Sequence, residues 1–446
     1  MLNRVKLYYK KPECIFLGLA LIFGVLSLIM MPMYGVPDEP AHFSAAHHFA
    51  FGGYRAPKNL WIDKNHPMFI FQKILEPVSD VLVQVKRINF APIPYIPQMI
   101  GLIGAKLFLP TVGGYYLFGR LFNLLFYIIV IFFVIKKVNV GKWVFTTIAL
   151  FPTSLMLAAS FSYDASTYSI TFALFAVVLN MFTSDKVTNK HRLFLYLCIF
   201  WLASFKTNYI LVAAPLLFIS STKFKKNKKK VFFNIDKWVT GFGCIVFAFL
   251  GTRMLSSTPT LTQQGGGTIT IKHFMHILFN TYVVDFSPTG FSDYADQLIC
   301  QVFGIFASFD YSLPKLFVLI LFSILLFSFL IDDCKIKIPK PLIVSSMIVF
   351  FGELVLVANF MYFNWGIPLA GPGVRNAEGV QGRYFAPLIP LFIPFFLWFS
   401  NTKVGLRLKN EYVMSTLVTS STMLCCGLYV LMTWWYYYHL GLKVRC

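Results

Sequence analysis

The chain has 446 residues, 57% hydrophobic and only 13% charged, with 50 Phe and a formal net charge of +21. That much apolar surface excludes an ordinary soluble domain and points to many membrane-spanning helices. The basic charge argues against nucleic acid as a partner, because Lys and Arg fall mostly in short loops between apolar runs, where they face anionic lipid.

In chain order, Arg4, Lys6, Lys10 and Lys11 precede an apolar run over about 14–33. No small-residue cleavage site follows, so this run reads as an uncleaved first span with a cytoplasmic N-terminus. Just past it stands Pro37-Asp38-Glu39-Pro40-Ala41-His42-Phe43. Acidic groups at a membrane boundary are costly unless they pair, bind a ligand or do chemistry. If a helix begins here, Asp38 and His42 share one face. Three uses stay open: a general base, a divalent-cation site held by Asp38 and Glu39 with His42 nearby, and simple capping of the helix dipole.

Residues 91–110 are apolar enough to cross, but a crossing there would invert every later basic loop. The prolines near their start, Pro92, Pro94 and Pro97, instead predict an interfacial or re-entrant helix. Apolar length then predicts spans at 115–135, 143–161, 164–182, 193–206, 208–221, 237–255, 313–331, 341–361, 384–400 and 411–433. With the first run, that makes about eleven transmembrane helices in a single membrane domain over 1–446. Lys136, Lys137, Lys142, Lys186, Lys190, Arg192, the basic run 223–230, Lys335, Lys337, Lys340, Lys403, Arg407 and Lys409 all fall inside. The large outer loops are 34–114, 256–312 and 362–383.

Several polar residues stand near the expected outer boundary. Arg120 lies near the start of the second span, Asp164 in Ser162-Tyr163-Asp164-Ala165, and Lys206 between two short apolar runs. Arg375 and Arg383 belong to the last large outer loop, the latter in Gly379-Val380-Gln381-Gly382-Arg383-Tyr384. A phosphate would suit these cations, and snorkelling toward headgroups is the ordinary alternative. For Asp164 the alternative is capping of the helix that follows. Glu353 lies mid-span in Phe351-Gly352-Glu353-Leu354 and must face the bundle interior. Of the eight cysteines, most, such as Cys198 and Cys425, sit in apolar runs; there is no CxxC, and the cysteines show no metal-ligand spacing.

The Pro-Asp-Glu-Pro segment, Pro92-Ile93-Pro94-Tyr95, Ser162-Tyr163-Asp164-Ala165, Gly304-Ile305-Phe306-Ala307-Ser308-Phe309-Asp310 and Gly379-Val380-Gln381-Gly382-Arg383-Tyr384-Phe385-Ala386-Pro387 occur in that order. Together they resemble the bacterial membrane-protein family called Domain of Unknown Function 2142, over about 35–390. That family is itself similar to the GT-C glycosyltransferases, which take a sugar from a polyprenyl-phosphate carrier. The resemblance implies an all-α, GT-C-like fold, with juxtamembrane helices in a large first outer loop and a bacterial plasma-membrane location. It implies Asp38 as catalytic acid and donor-phosphate binding by Arg383, Arg120 and Lys206, while the reading of the residues themselves adds Glu39, His42 and Asp164 beside Asp38 and Arg375 beside Arg383. The expected partners are a polyprenyl-phosphate-linked sugar, a surface glycan acceptor and membrane lipid. The expected activity is sugar transfer on the outer face; a flippase for a lipid-linked saccharide and a non-catalytic envelope subunit are the alternatives. A divalent cation on Asp38 and Glu39 stays open.

Overall fold

In a computed structural model, the chain is described over residues 11–53, 55–60, 68–84, 91–220, 223, 240–243, 271–282, 293–306, 310–331, 338–367, 377, 379–401 and 411–440. Outside these fall Arg375, the stretch 263–267, the basic run beyond Lys223, and the expected span 237–255 except for 240–243.

The first helix, α1 (Pro12–Met30), opens with proline, whose missing N–H costs nothing in a first turn. A short helix α2 (Glu39–Phe51) follows, then a two-stranded antiparallel ribbon of Arg55–Pro57 with Leu82–Gln84. Helix α3 (Ile96–Phe108) turns back against α4 (Val112–Lys137). Gly101 makes this close approach possible: a Cβ there would lie 2.4 Å from the Phe118 carbonyl oxygen. Thr111 caps α4 by accepting the Gly114 N–H at 3.1 Å, and Lys136 and Lys137 sit in its last turn, where cations suit the dipole.

Beyond α4 the chain forms α5 (Lys142–Ala149) and α6 (Pro152–Ala158), then α7 (Asp164–Thr183) and α8 (Asn189–Ala203). A 3-10 segment, Thr207–Phe218, follows. Helices α9 (Ile271–Tyr282), α10 (Asp293–Phe303), α11 (Lys315–Leu330) and α12 (Lys340–Met361) come next. The 3-10 turns Gly382–Tyr384 and Ala386–Phe392 lead into α13 (Ile393–Ser400), and α14 (Glu411–Trp434) completes the described chain apart from a final π-turn.

Among the described residues, five helices are long and apolar enough to cross a membrane: Pro12–Met30, Val112–Lys137, Asp164–Thr183, Lys340–Gly366 and Tyr412–Tyr438. This corrects the expected GT-C-like bundle of about eleven spans. Apolar length alone ignored the local breakers. Pro152 splits 143–161: Phe151 before it is extended (ψ 139°), leaving helices of 8 and 7 residues. Pro215 lies inside a 12-residue 3-10 segment where a span over 208–221 was expected. Pro387 and Pro390 hold 386–392 in 3-10 form, so α13 has only 8 residues. Helix α8 has 15 residues and α11 has 16, against roughly 20 for a full crossing.

Helix α7 is the centre of the assembly: 83% of its most apolar window is buried, against 50% or less for the other four. It packs on α4, α8 and the Thr207–Phe218 segment. Ile22 on α1, Phe133 on α4, Ile348 and Phe351 on α12 and Leu424 on α14 point outward, as lipid-facing residues do. Helix α14 is tied to α1 by the 2.7 Å hydrogen bond between Ser27 and Tyr429.

Candidate functional site

The end of α1 and the starts of α4 and α7 meet at one end of the bundle, opposite Lys136, Lys137 and Lys142. The connecting turn from α1 to α2 is strained. Tyr34 (φ 64°) and Asp38 (φ 60°) are its two non-glycine residues in the left-handed region. Asp and Asn tolerate that conformation better than other L-residues. Asp38 is the residue before α2, yet its side chain makes no capping hydrogen bond. Its Oδ2 instead accepts from Nη2 of Arg383 at 2.6 Å. The Asp38 side chain is 59% exposed, whereas residues 31–37 and Glu39 around it are buried.

Arg383 is only 6% exposed and also faces Asp164, with Nη1 3.3 Å from Asp164 Oδ2. One guanidinium thus lies between two carboxylates from distant parts of the chain. Asp164 is the first residue of α7 and not its cap; its own N–H donates to Ser162 Oγ at 3.1 Å. The turn that carries it is pinned from both sides. Asn123 donates to the Ser160 and Ser162 carbonyls at 2.7 and 3.0 Å, and Gln98 donates to the Phe161 carbonyl at 3.3 Å.

The backbone around Arg383 is equally fixed. Tyr168 donates to the Arg383 carbonyl at 3.2 Å and Tyr209 to the Tyr384 carbonyl at 2.7 Å. The Gly382 N–H donates to Gln301 Oε1 at 2.6 Å. A Cβ on Gly382 would lie 2.1 Å from the Leu298 carbonyl oxygen, so only glycine lets this turn seat on α10. Lys206 reaches over the Tyr384 and Tyr163 rings, 4.7 and 5.3 Å from their centroids. No carboxylate among the described residues lies within ion-pair distance of its ammonium.

His42 sits behind Asp38, one turn along α2, and is buried. Its Nδ1 is hydrogen-bonded to the Tyr95 hydroxyl at 2.7 Å, and its ring stands edge-on to Tyr163 at 4.6 Å. Burial pushes its pKa down to about 4, against the opposing pull of Asp164 and Asp38. It is therefore neutral at physiological pH. Glu353 lies deeper, on α12, where Oε2 accepts from Asn208 at 2.9 Å.

Glu39 and Arg120 belong to a different structure. Both are fully buried, and Arg120 spends all five N–H groups: two on Glu39 at 2.8 and 2.7 Å, and three on the Leu28, Met31 and Pro32 carbonyls at 3.4, 2.8 and 2.7 Å. Glu39 Oε1 also accepts the Phe161 N–H at 3.1 Å. With its oxygens so engaged on Arg120 and the Phe161 N–H, Glu39 turns away from Asp38. Among the described residues no group of three His, Cys, Asp or Glu gathers at metal-ligand distance.

The structure thus brings Asp38, Asp164 and Arg383 together, with His42 and Lys206 around them, and separates Glu39 and Arg120. The tyrosines at 95, 163, 168, 209 and 384 were not among the sequence candidates, nor were Gln98, Asn123 and Gln301. Asn123 and Gln98, each a polar residue inside an apolar run, were the available signals.

Residues 79–392 match a family model described as "Predicted membrane protein (DUF2142)". No curated protein and no solved structure gives a match. The GT-C-like architecture expected from the sequence therefore has no structural relative behind it and is set aside.

Proposed function

The chain belongs to the DUF2142 family of membrane proteins, and from that premise we propose that it transfers a sugar from a polyprenyl-phosphate donor to a cell-envelope acceptor. The observation that carries this reading is the Asp38–Arg383–Asp164 cluster: an exposed carboxylate on a strained turn, a buried guanidinium and a second, buried carboxylate. Strain held in place by so many hydrogen bonds is a hallmark of chemical sites more than of packing.

Asp38 is the general base. As an acceptor oxygen bonds to the anomeric carbon, its proton passes to Asp38, the bond from that carbon to the phosphate oxygen breaks, and the electron pair leaves on the phosphate. Arg383 and Lys206 are the cations that take up that developing charge. Lys206 suits the task because aromatic rings hold it and no carboxylate among the described residues lies within ion-pair distance of it. Asp164 keeps Arg383 in place. Glu39 and Arg120 serve the framework, and His42 acts from behind Asp38. Lys136 and Lys137 at the far end of α4 and Lys142 at the start of α5 support the reading in which that end faces the cytoplasm and the site lies on the outer face of the membrane.

The test compares a strain lacking the protein with the same strain rescued by wild type or by Asp38→Asn at matched membrane levels. One surface-polysaccharide sugar disappears in the deletion and returns only with wild type. Full restoration by Asp38→Asn removes Asp38 from the chemistry, and an unchanged glycan in the deletion ends the sugar-transfer reading.

A further inference from the structure

The base and the phosphate-binding cation of the proposed reaction are bonded to each other. Asp38 Oδ2 accepts from Arg383 Nη2 at 2.6 Å. A lone pair engaged by a guanidinium is not available to an incoming hydroxyl proton. For Asp38 to work as a base, Arg383 has to let it go.

Arg383 has reason to do so. Its Nε and Nη1 are buried and make no hydrogen bond among the described residues, Nη1 meeting Asp164 Oδ2 only as an ion pair at 3.3 Å. Unmet N–H donors on a charged, nine-tenths buried group are costly, and a ligand with several acceptor oxygens would relieve them. The cost of exchange is confined to side chains, since Tyr168 and Tyr209 hold the backbone carbonyls of Arg383 and Tyr384. Lys206, over the Tyr384 ring, supplies a second cation next to the same spot. On the other side, the Asp38 side chain is already largely in solvent, so it loses little when the guanidinium leaves.

We propose that Arg383 exchanges partners, leaving Asp38 when the phosphate group of the donor arrives, so that Asp38 Oδ2 gives up this hydrogen bond only in the donor-bound state. The inference rests on the proposed sugar transfer for its meaning, but the exchange itself needs no transfer to be observed. It makes the reaction ordered, donor before acceptor, and it keeps Asp38 from activating water or acceptor while no donor is present.

The experiment is a double-mutant cycle on binding, with the full chain in nanodiscs and farnesyl monophosphate as probe, since it carries the phosphate and an isoprenoid stem but no sugar. The variants are Asp38→Asn, Arg383→Gln and the pair, with Arg383→Lys as a second partner should Arg383→Gln not fold. Asp38→Asn is expected to tighten binding by about tenfold, the scale of one charge-assisted hydrogen bond, and by no more than about twofold once Arg383 is replaced. The residual twofold is plain charge repulsion between Asp38 and the phosphate. Equal effects in both backgrounds, an unchanged affinity in Asp38→Asn, or no binding by any form overturns the exchange. Loss of sugar transfer by wild type with an intact cycle would instead overturn the reaction and leave the exchange standing.

Discussion

Glu39 and Arg120, separated by 81 positions, meet in a two-pronged ion pair with neither side chain exposed to solvent. Its neighbour in sequence, Asp38, faces the other way and stays largely exposed. Two adjacent acids therefore divide the work: one closes the framework at the end of α1, and the other is presented to the surface.

Removing one partner of the Glu39–Arg120 pair is expected to cost about 3–5 kcal/mol, because a buried charge is left without its counter-charge. Glu39→Ala and Arg120→Leu should both lower the midpoint of thermal unfolding in detergent, while Asp38→Asn leaves it close to wild type. Equal thermal stability for all three would contradict the division of roles.

Asp38→Asn is expected to lower turnover by about a hundredfold or more, the usual contribution of a general base. Asn keeps the size and tolerates the left-handed backbone at this position, so the protein level stays unchanged. Turnover within a fewfold of wild type, measured with purified protein and a lipid-linked sugar, would exclude Asp38 as the base.

Lys206→Met is expected to weaken binding of the donor by about tenfold with a smaller effect on binding of the acceptor, since it removes one cation facing the phosphate. Lys206→Arg should recover part of the loss. An unaltered donor KM in Lys206→Met would remove this lysine from the site.

His42 and His47 are both held neutral by burial, each with a pKa of about 4 against 6.5 for an ordinary histidine. Between pH 6.5 and 4 the unfolded chain binds protons that the folded chain refuses, so stability rises with pH across that window. The folded protein should be at full strength above about pH 6.5 and weaken progressively as pH falls toward 4. Replacing either histidine with Asn should flatten that slope in a melting-temperature series, and a wild-type series with no slope would contradict the burial argument.

The residues that make the site were legible in the sequence where charge stood against an apolar background. Asp38, Asp164 and Arg383 each interrupt or border an apolar run, and the cost of burying charge marks them. Their pairing was not legible. Nothing local tells that Arg120 turns to Glu39 and Arg383 to Asp38, because 345 positions separate the second pair and the choice is made by packing. The span count failed for a different reason. Hydropathy measures how much apolar surface a segment carries, and it does not register that Pro152, Pro215, Pro387 and Pro390 interrupt the hydrogen-bond ladder of a long helix. The tyrosine hydroxyls that fix the backbone at Arg383 and Tyr384 read in sequence as ordinary aromatic residues of a membrane protein.

The distance along the chain between Asp38 and Arg383 also sets a schedule for assembly. At ~5–20 residues per second, roughly 20–70 s pass between synthesis of the aspartate and synthesis of the arginine that will hold it. Throughout that interval α1 can already lie in the bilayer, with the acidic turn at its rim and no guanidinium yet made to neutralise it. Glu39 waits a much shorter time for Arg120, so the Glu39–Arg120 pair closes early in biogenesis and the Asp38–Arg383 pair closes near the end. A ribosome stalled before codon 383 would therefore leave a nascent protein that can already hold the Glu39–Arg120 pair and still lacks the guanidinium that meets Asp38.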